Sequence, residues 1–221
     1  GIFSSDGVLV GPAGFMAACI AAAQAEGLLY IADEVQPGFA RTGLNMWGFM
    51  RPGVQPDMVT LGKPMGNGQP IAGLVGRSEV VDCFGRHMRY FNTFGGNPVS
   101  YAAGKAVLDV IQEQNLQQQS HAIGGYLLEG LSRLAQRHAC MGDVRGAGMF
   151  LGVELVTDRV TRQPAAEQAR KVVNSMREKG VLISASGPLE NVLKIRPLLT
   201  YTKDHADMLI EAVDTAMADI S

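Results

Sequence analysis

The chain has 221 residues, 47% of them hydrophobic and 18% charged, with a net charge of −2. A chain of this size and apolarity can bury a core, either as one large domain or as two smaller ones. Its acids and bases are interspersed, which leaves no basic face for nucleic acid, and its longest apolar runs, such as Ala17 to Ala23, are too short to span a bilayer.

From Pro12 to Glu26 the pattern is helical and Ala-rich, with Pro12 suited to the first turn and Gly27 to the stop. Leu28 to Ala32 is a short continuous apolar run, which predicts a strand buried on both faces, and it ends on Asp33-Glu34. A second strand is predicted over Met58 to Leu61, and Gly62 to Gly68 reads as loop because Pro64 and three glycines break a helix. Ile71 to Val75 reads as strand, Arg77 to Phe84 as helix, Tyr90 to Pro98 as loop and Val99 to Gln112 as helix. Strands alternating with helices argue for a mainly parallel sheet.

Gln112 to Gln119 is Gln-rich and reads as a hinge, after which Ile123 to Arg137 forms an amphipathic helix. Met149 to Leu155, Val181 to Ser184 and Val192 to Arg196 are predicted strands, while Ala165 to Lys179 and Lys203 to Asp219 are predicted helices. These features predict two domains, over residues 1–115 and 116–221, the second smaller and α+β. Cys19, Cys83 and Cys140 lie far apart outside CxxC spacing and the four histidines do not cluster. The cysteines therefore read as small buried hydrophobes in a reducing compartment, with no metal expected. No basic stretch precedes an apolar run at the start, so a cytoplasmic protein is expected, and the opening Gly-Ile-Phe-Ser reads as a cut from something longer.

Three segments carry candidate chemistry. Asp33 stands at a strand's carboxyl end, where open α/β sheets place their ligands. It is either a local cap or an anion held to pair with a ligand cation. Lys63 lies in Gly-Lys-Pro-Met-Gly-Asn-Gly directly after an apolar strand. It is either a surface charge or an amine held partly out of water for imine chemistry and proton transfer. Thr93, ahead of Gly95 and Gly96 in an irregular loop before a helix, offers a hydroxyl and backbone N–H groups to an anion such as phosphate. An ordinary turn into a helix is the other reading.

Taken together, Asp33-Glu34-Val35-Gln36, Gly38-Phe39, Arg41-Thr42-Gly43, Pro56-Asp57, Gly62-Lys63, Gly66-Asn67-Gly68 and Asn92 to Pro98 resemble the class III (ω-) aminotransferase pattern. The resemblance implies the fold type I architecture of pyridoxal-phosphate (PLP) enzymes. It places part of the large domain, a mainly parallel sheet with helices, ahead of a C-terminal α+β small domain. It further implies that Asp33 pairs with the cofactor's pyridinium nitrogen, that Gln36 bonds near its 3-hydroxyl and that Lys63 is the Schiff-base lysine. Thr93 is implied to bind the cofactor phosphate of a neighbouring subunit, hence a homodimer with a shared active site. The resemblance covers the second half of a family member, so the phosphate cup and ring-stacking aromatic fall outside it. Ala40 stands where the family usually has glycine.

Within the family, Tyr90-Phe91-Asn92-Thr93 through Val99-Ser100, Gly142-Asp143-Val144-Arg145-Gly146 and Asn191 to Pro197 resemble the ethanolamine-phosphate phospho-lyase branch, its phosphohydroxylysine relative and the alanine–glyoxylate aminotransferase 2 group. Lys194 matches a position where carboxylate-binding transaminases carry an arginine. Lysine offers a point charge in place of a bidentate fork, which weakens selection for an α-carboxylate but is tolerated by a substrate whose anion is a phosphate, with Arg196 nearby as a second cation. Otherwise Lys194 is a snorkelling strand-end lysine. The expected reaction on a primary amine is therefore phosphate elimination ahead of transamination, with a catalytically silent dimerisation module as the remaining alternative.

Overall fold

The computed structural model of the chain describes residue 2 and residues 4–220, which divide into two units. The first holds residues 11–40 and 45–117, and the second holds residues 2–10, 41–44 and 118–221.

In the first unit, α1 (Phe15–Ala25) follows a turn in which Phe15 N donates to Pro12 O at 3.1 Å, so the helix begins later than Pro12. β1 (Ile31–Asp33) and β2 (Met58–Leu61) pair in parallel, with Ile31 opposite Met58 and Asp33 opposite Thr60. β3 (Gly73–Gly76) pairs with β2 antiparallel, giving a mixed three-stranded sheet. Between β2 and β3 the predicted loop contains a turn of 3-10 helix, Lys63–Gly66. Pro64 sits at its start, where no N–H is needed, so the proline does not prevent so short a helix. α2 (Ser78–His87) and α3 (Pro98–Glu113) follow, the latter capped by Asn97 and opened by Pro98.

Asp57 sets the register of the parallel pair. Its Oδ2 accepts from Tyr30 N at 2.7 Å and from Gln24 Nε2 at 3.3 Å, and its Oδ1 faces Arg77 at 2.9 Å. Asp57 N and Met58 N both donate to Tyr30 O. One side chain thus ties the end of α1, the entry to β1 and the start of α2 around the foot of β2. The Tyr30 N–H, then Gln24, with Arg77's charge adding, hold the Asp57 carboxyl below the usual carboxylate range.

Two expectations are corrected here. Leu28, Leu29 and Ile31 are exposed, so the β1 segment is not buried on both faces; its single buried strand residue is Ala32. Cys19 and Cys83 are also exposed and Cys140 is half-buried, so the cysteines are not core residues. The first two lie on α1 and α2, helices that bury only Ile20 and no residue respectively.

The second unit is entered through α4 (Leu116–Arg137), which starts inside the predicted hinge. Glutamine is a good helix former, and the break narrows to Gln114-Asn115, with Asn115 at φ +50°. There follow β4 (Met141–Ala147), β5 (Phe150–Asp158), β6 (Gln163–Pro164), α5 (Ala166–Glu178), β7 (Ser184–Ser186), β8 (Val192–Ile195) and α6 (Lys203–Ala218). The sheet runs β4-β5-β8-β7, antiparallel throughout, with β6 added to β5. β4 has no counterpart in the sequence prediction, because Gly142 and Gly146 blur its alternation and pairing with β5 holds it. The predicted Val181 to Ser184 strand is displaced to Ser184–Ser186.

One face of this sheet packs on the three helices. Leu127, Leu131 and Leu134 of α4, Ala169, Val172 and Met176 of α5, and Leu209, Val213 and Met217 of α6 recur at helical spacing. They meet Leu151, Val153 and Leu155 of β5 and Leu193 and Ile195 of β8, each nearly or fully buried. Burying one such leucine contributes about 1.5–3 kcal/mol. The pleat sends alternate residues to the other face, where Phe150 packs with Ile2 and Val8. Among the described residues, no helix is long and apolar enough to cross a membrane.

α4 approaches the β4–β5 turn closely enough to need glycine. A Cβ on Gly124 would lie 2.2 Å from the carbonyl carbon and oxygen of Gly148, whereas one on Gly125 would meet nothing within 4 Å. Gly124→Ala should therefore destabilise by about 2–3 kcal/mol, while Gly125→Ala should stabilise by about 1 kcal/mol through helix propensity. Urea midpoints of the two neighbouring variants should move in opposite directions.

Asp57 generates a pH prediction. Its folded-state pKa is depressed, so its contribution is complete above the unfolded value of about 3.9 and is lost as pH falls through the lower folded value. Urea midpoints of the protein and of Asp57→Asn should differ at pH 6 and converge below about pH 4. A gap that persists unchanged to pH 2 would remove the ionised carboxylate as the source of the tie.

Candidate active site

The parallel pair brings Asp33 and the Lys63 turn to the same end of the first sheet. Asp33 closes β1 opposite Thr60, and Lys63 follows β2 by two residues. Glu34 N donates to Thr60 O at 3.0 Å, which extends the pairing past Asp33. Asp33 Oδ1 accepts from Val35 N at 3.0 Å and from Thr60 Oγ1 at 3.4 Å. Among the described residues Oδ2 takes no hydrogen bond, so an exposed strand end presents one carboxylate oxygen as an acceptor.

Lys63 is exposed, which corrects the expectation that the loop holds it out of water. Its backbone is left-handed, with φ +41°, a conformation that costs a lysine about 1–2 kcal/mol. The turn over-determines it: Met65 N donates to Gly62 O and Asn67 N to Pro64 O, both at 3.1 Å. Strain of this kind gathers where a side chain has to be aimed.

Gln36 is half-buried in the turn that follows β1. Glu34 shapes that turn. Its buried carboxylate accepts from Gly48 N at 2.6 Å and Phe49 N at 2.8 Å, and burial pushes its carboxyl upward against those bonds. Asp33 and Glu34 are adjacent acids with different duties, one exposed at the strand end and one buried in a turn, a division that nothing in their shared position in the sequence reveals.

Thr93 is exposed in the loop before α3. Two of the backbone N–H groups expected to await an anion are already used, since Asn92 Oδ1 accepts from Phe94 N at 3.2 Å and Gly95 N at 3.0 Å. Asn97 Oδ1 accepts from Ser100 N at 2.9 Å, and Ser100 Oγ donates to Pro70 O at 2.9 Å. Ser100 thereby fastens the Thr93 loop to the segment that leaves the Lys63 turn. An apolar cleft of about 400 Å3, lined among others by Trp47, Phe49, Met58 and Val75, contains none of the candidate residues.

In the second unit, Lys194 lies in β8 between Gly152 of β5 and Ser184 of β7. It is half-buried, and its Nζ donates to Ser4 Oγ at 2.7 Å. Lys194 Nζ is 5.6 Å and Arg196 Cζ 5.8 Å from the centre of the fully buried Phe150 ring. Both distances are within cation–π range. Arg41 donates to Met149 O at 3.3 Å and to Pro197 O, and desolvation followed by the charge of Arg196 lowers its pKa to about 10. Sequence reasoning missed Phe150, Ser4 and this use of Arg41. The alternation of β5 could have placed Phe150 opposite the core face, but nothing local marks Ser4.

The chain matches the aminotransferase class-III family over residues 1–217. It is 47% identical over 205 residues to alanine–glyoxylate aminotransferase 2 homolog 2, mitochondrial, of Arabidopsis thaliana, covering 93% of this chain and 43% of that protein. It is 41% identical over 194 residues to ethanolamine-phosphate phospho-lyase homolog 1 of Caenorhabditis elegans, covering 86% of this chain and 42% of the relative. Among solved structures, a phospholyase from Arthrobacter in complex with phosphoethanolamine superimposes with a TM-score of 0.96 at 44% identity, over 100% of this chain and 52% of that one. A PLP-bound amine transaminase from an uncultivated Pseudomonas species gives 0.91 at 33% identity, over 100% of this chain and 51% of that one. The chain thus spans about half the length of these relatives.

The chain's residues fit PLP. The open Asp33 Oδ2 suits a protonated ring nitrogen, and an exposed lysine on a rigid turn at the same sheet end suits the cofactor's carbonyl carbon. If Asp33 acts by charge, Asp33→Asn in the intact enzyme should keep the fold and the PLP absorbance. Turnover should fall about 100- to 10,000-fold. Near-normal turnover in that variant would take Asp33 out of the site.

Proposed function

The chain belongs to the class III aminotransferases, and from that premise we propose that the enzyme eliminates phosphate from a small phosphorylated primary amine. The carrying observation is the pair of cations, Lys194 and Arg196, seated on one buried ring, Phe150. A phosphate monoester carries a charge of about −1.5 to −2 at neutral pH and can engage both cations, whereas a carboxylate carries a single charge. Lysine at position 194 also lacks the planar fork that grips an α-carboxylate through two parallel bonds, so a plain carboxylate gains less here than at an arginine. The likeness to a phospholyase holding phosphoethanolamine supports the same reading.

In this reading Lys63 Nζ accepts the substrate's Cα proton and Asp33 holds a proton at the ring nitrogen. Lys194 and Arg196 bind the phosphate as its bond to Cβ breaks, and the phosphate leaves with the bonding pair. Bound PLP supplies the electron sink that makes the Cα–H bond acidic. Water is the second reactant, and the products are inorganic phosphate, an aldehyde and ammonia. Thr93 serves the cofactor phosphate of a second subunit, so the working enzyme is a homodimer.

Transamination is the competing reading, favoured by the alanine–glyoxylate aminotransferase 2 name of the 47%-identical relative. The two separate in one assay on the intact enzyme. Phosphate should be released from phosphoethanolamine with no keto-acid acceptor present. Lys194→Arg should shift the ratio of kcat/KM toward carboxylate-bearing amines by about ten- to a hundredfold. Turnover seen only with pyruvate or glyoxylate as acceptor would assign the chain to the transaminases.

A further inference from the structure

We infer that Ser4 is a positioning residue that aims the Lys194 ammonium at the substrate's anion, an inference resting on the reading of Lys194 and Arg196 as the anion grip. Lysine carries a flexible four-carbon stem with no built-in direction for its charge. Among the contacts that give it direction here, two are defined by geometry. Ser4 Oγ accepts from Nζ at 2.7 Å, and the Phe150 ring lies 5.6 Å away. Ser4 is only 8% exposed, so its hydroxyl is withdrawn from water and spent on this one side chain.

The bond is not needed to fasten the segment that carries Ser4. Arg145 already donates to Gly7 O through Nε at 3.1 Å and NH2 at 2.7 Å, and Ile2 and Val8 pack on Phe150. A small apolar residue at position 4 would complete that packing without the cost of burying a hydroxyl. The serine earns its place through Lys194. It holds the ammonium on the sheet face that also bears Arg196, because residues 194 and 196 alternate with the core residues Leu193 and Ile195.

The test uses the intact PLP-loaded enzyme and two readouts. One is steady-state phosphate release from phosphoethanolamine. The other is calorimetric binding of ethyl phosphate, which has no amine to react, to the borohydride-reduced enzyme. Ser4→Ala should raise KM and the ethyl phosphate Kd about three- to tenfold, with kcat moving less than KM. Ser4→Thr, which keeps the hydroxyl, should restore both, and Ser4→Ala should add nothing to Lys194→Met. Should Ser4→Ala not fold, Ser4→Cys gives the same comparison with a weak acceptor. Unchanged KM and Kd in the serine variants, while Lys194→Met weakens ethyl phosphate, would overturn the role of Ser4 and leave the anion grip standing. Ethyl phosphate binding unaffected by Lys194→Met would overturn both.

Discussion

Asp57 stands one residue before β2 and accepts from the N–H of Tyr30, one residue before β1. Parallel strands have no hairpin turn to set their register, so a bond at the foot of the pair decides what faces what at the top. With Tyr30 held against Asp57, Ile31 falls opposite Met58 and Asp33 opposite Thr60. A slip of one residue would send every side chain of β1 to the opposite face and turn the Asp33 carboxylate away from Thr60. The chemistry at the carboxyl end thus depends on a carboxylate some three residues below it that touches no substrate.

The second unit divides its duties between the two faces of one antiparallel sheet. Leucines, valines and methionines from α4, α5 and α6 close one face into a continuous core. The other carries Phe150, Lys194 and Arg196, with Arg145 bridging Asp143 and Glu154. Strand alternation makes this possible without irregularity in β8, where Val192 and Lys194 fall on one side and Leu193 and Ile195 on the other, with Arg196 just past the strand end. The cations are placed by the same pleat that builds the core.

The elements most legible in the sequence are those specified locally. β2 and β8 lie where apolar runs put them, and α3 begins beside its Asn97-Pro98 signal. Asp33 and Lys63 could be singled out because each follows a strand and stands in a recognisable motif. What was not legible depends on partners distant in sequence. β4 is held by β5 despite its glycines, and Ser4 meets Lys194 across 190 positions. The exposure of Lys63 and of the β1 segment was also missed, since an apolar run tells what a strand can bury and not whether this chain supplies a cover for it.

Neither unit is a continuous stretch of chain: residues 2–10 and 41–44 group with residues 118–221. Ser4 precedes its partner Lys194 by 190 positions, which at ribosomal elongation rates of about 5–20 residues per second is a delay of roughly 10–40 s. Through that interval Ile2 and Val8 have no Phe150-bearing sheet to cover, because β5 and β8 are still to be made. The face that carries the cations therefore closes only after β8 has been made, and a nascent polypeptide must keep that short apolar segment soluble across the intervening 190 positions.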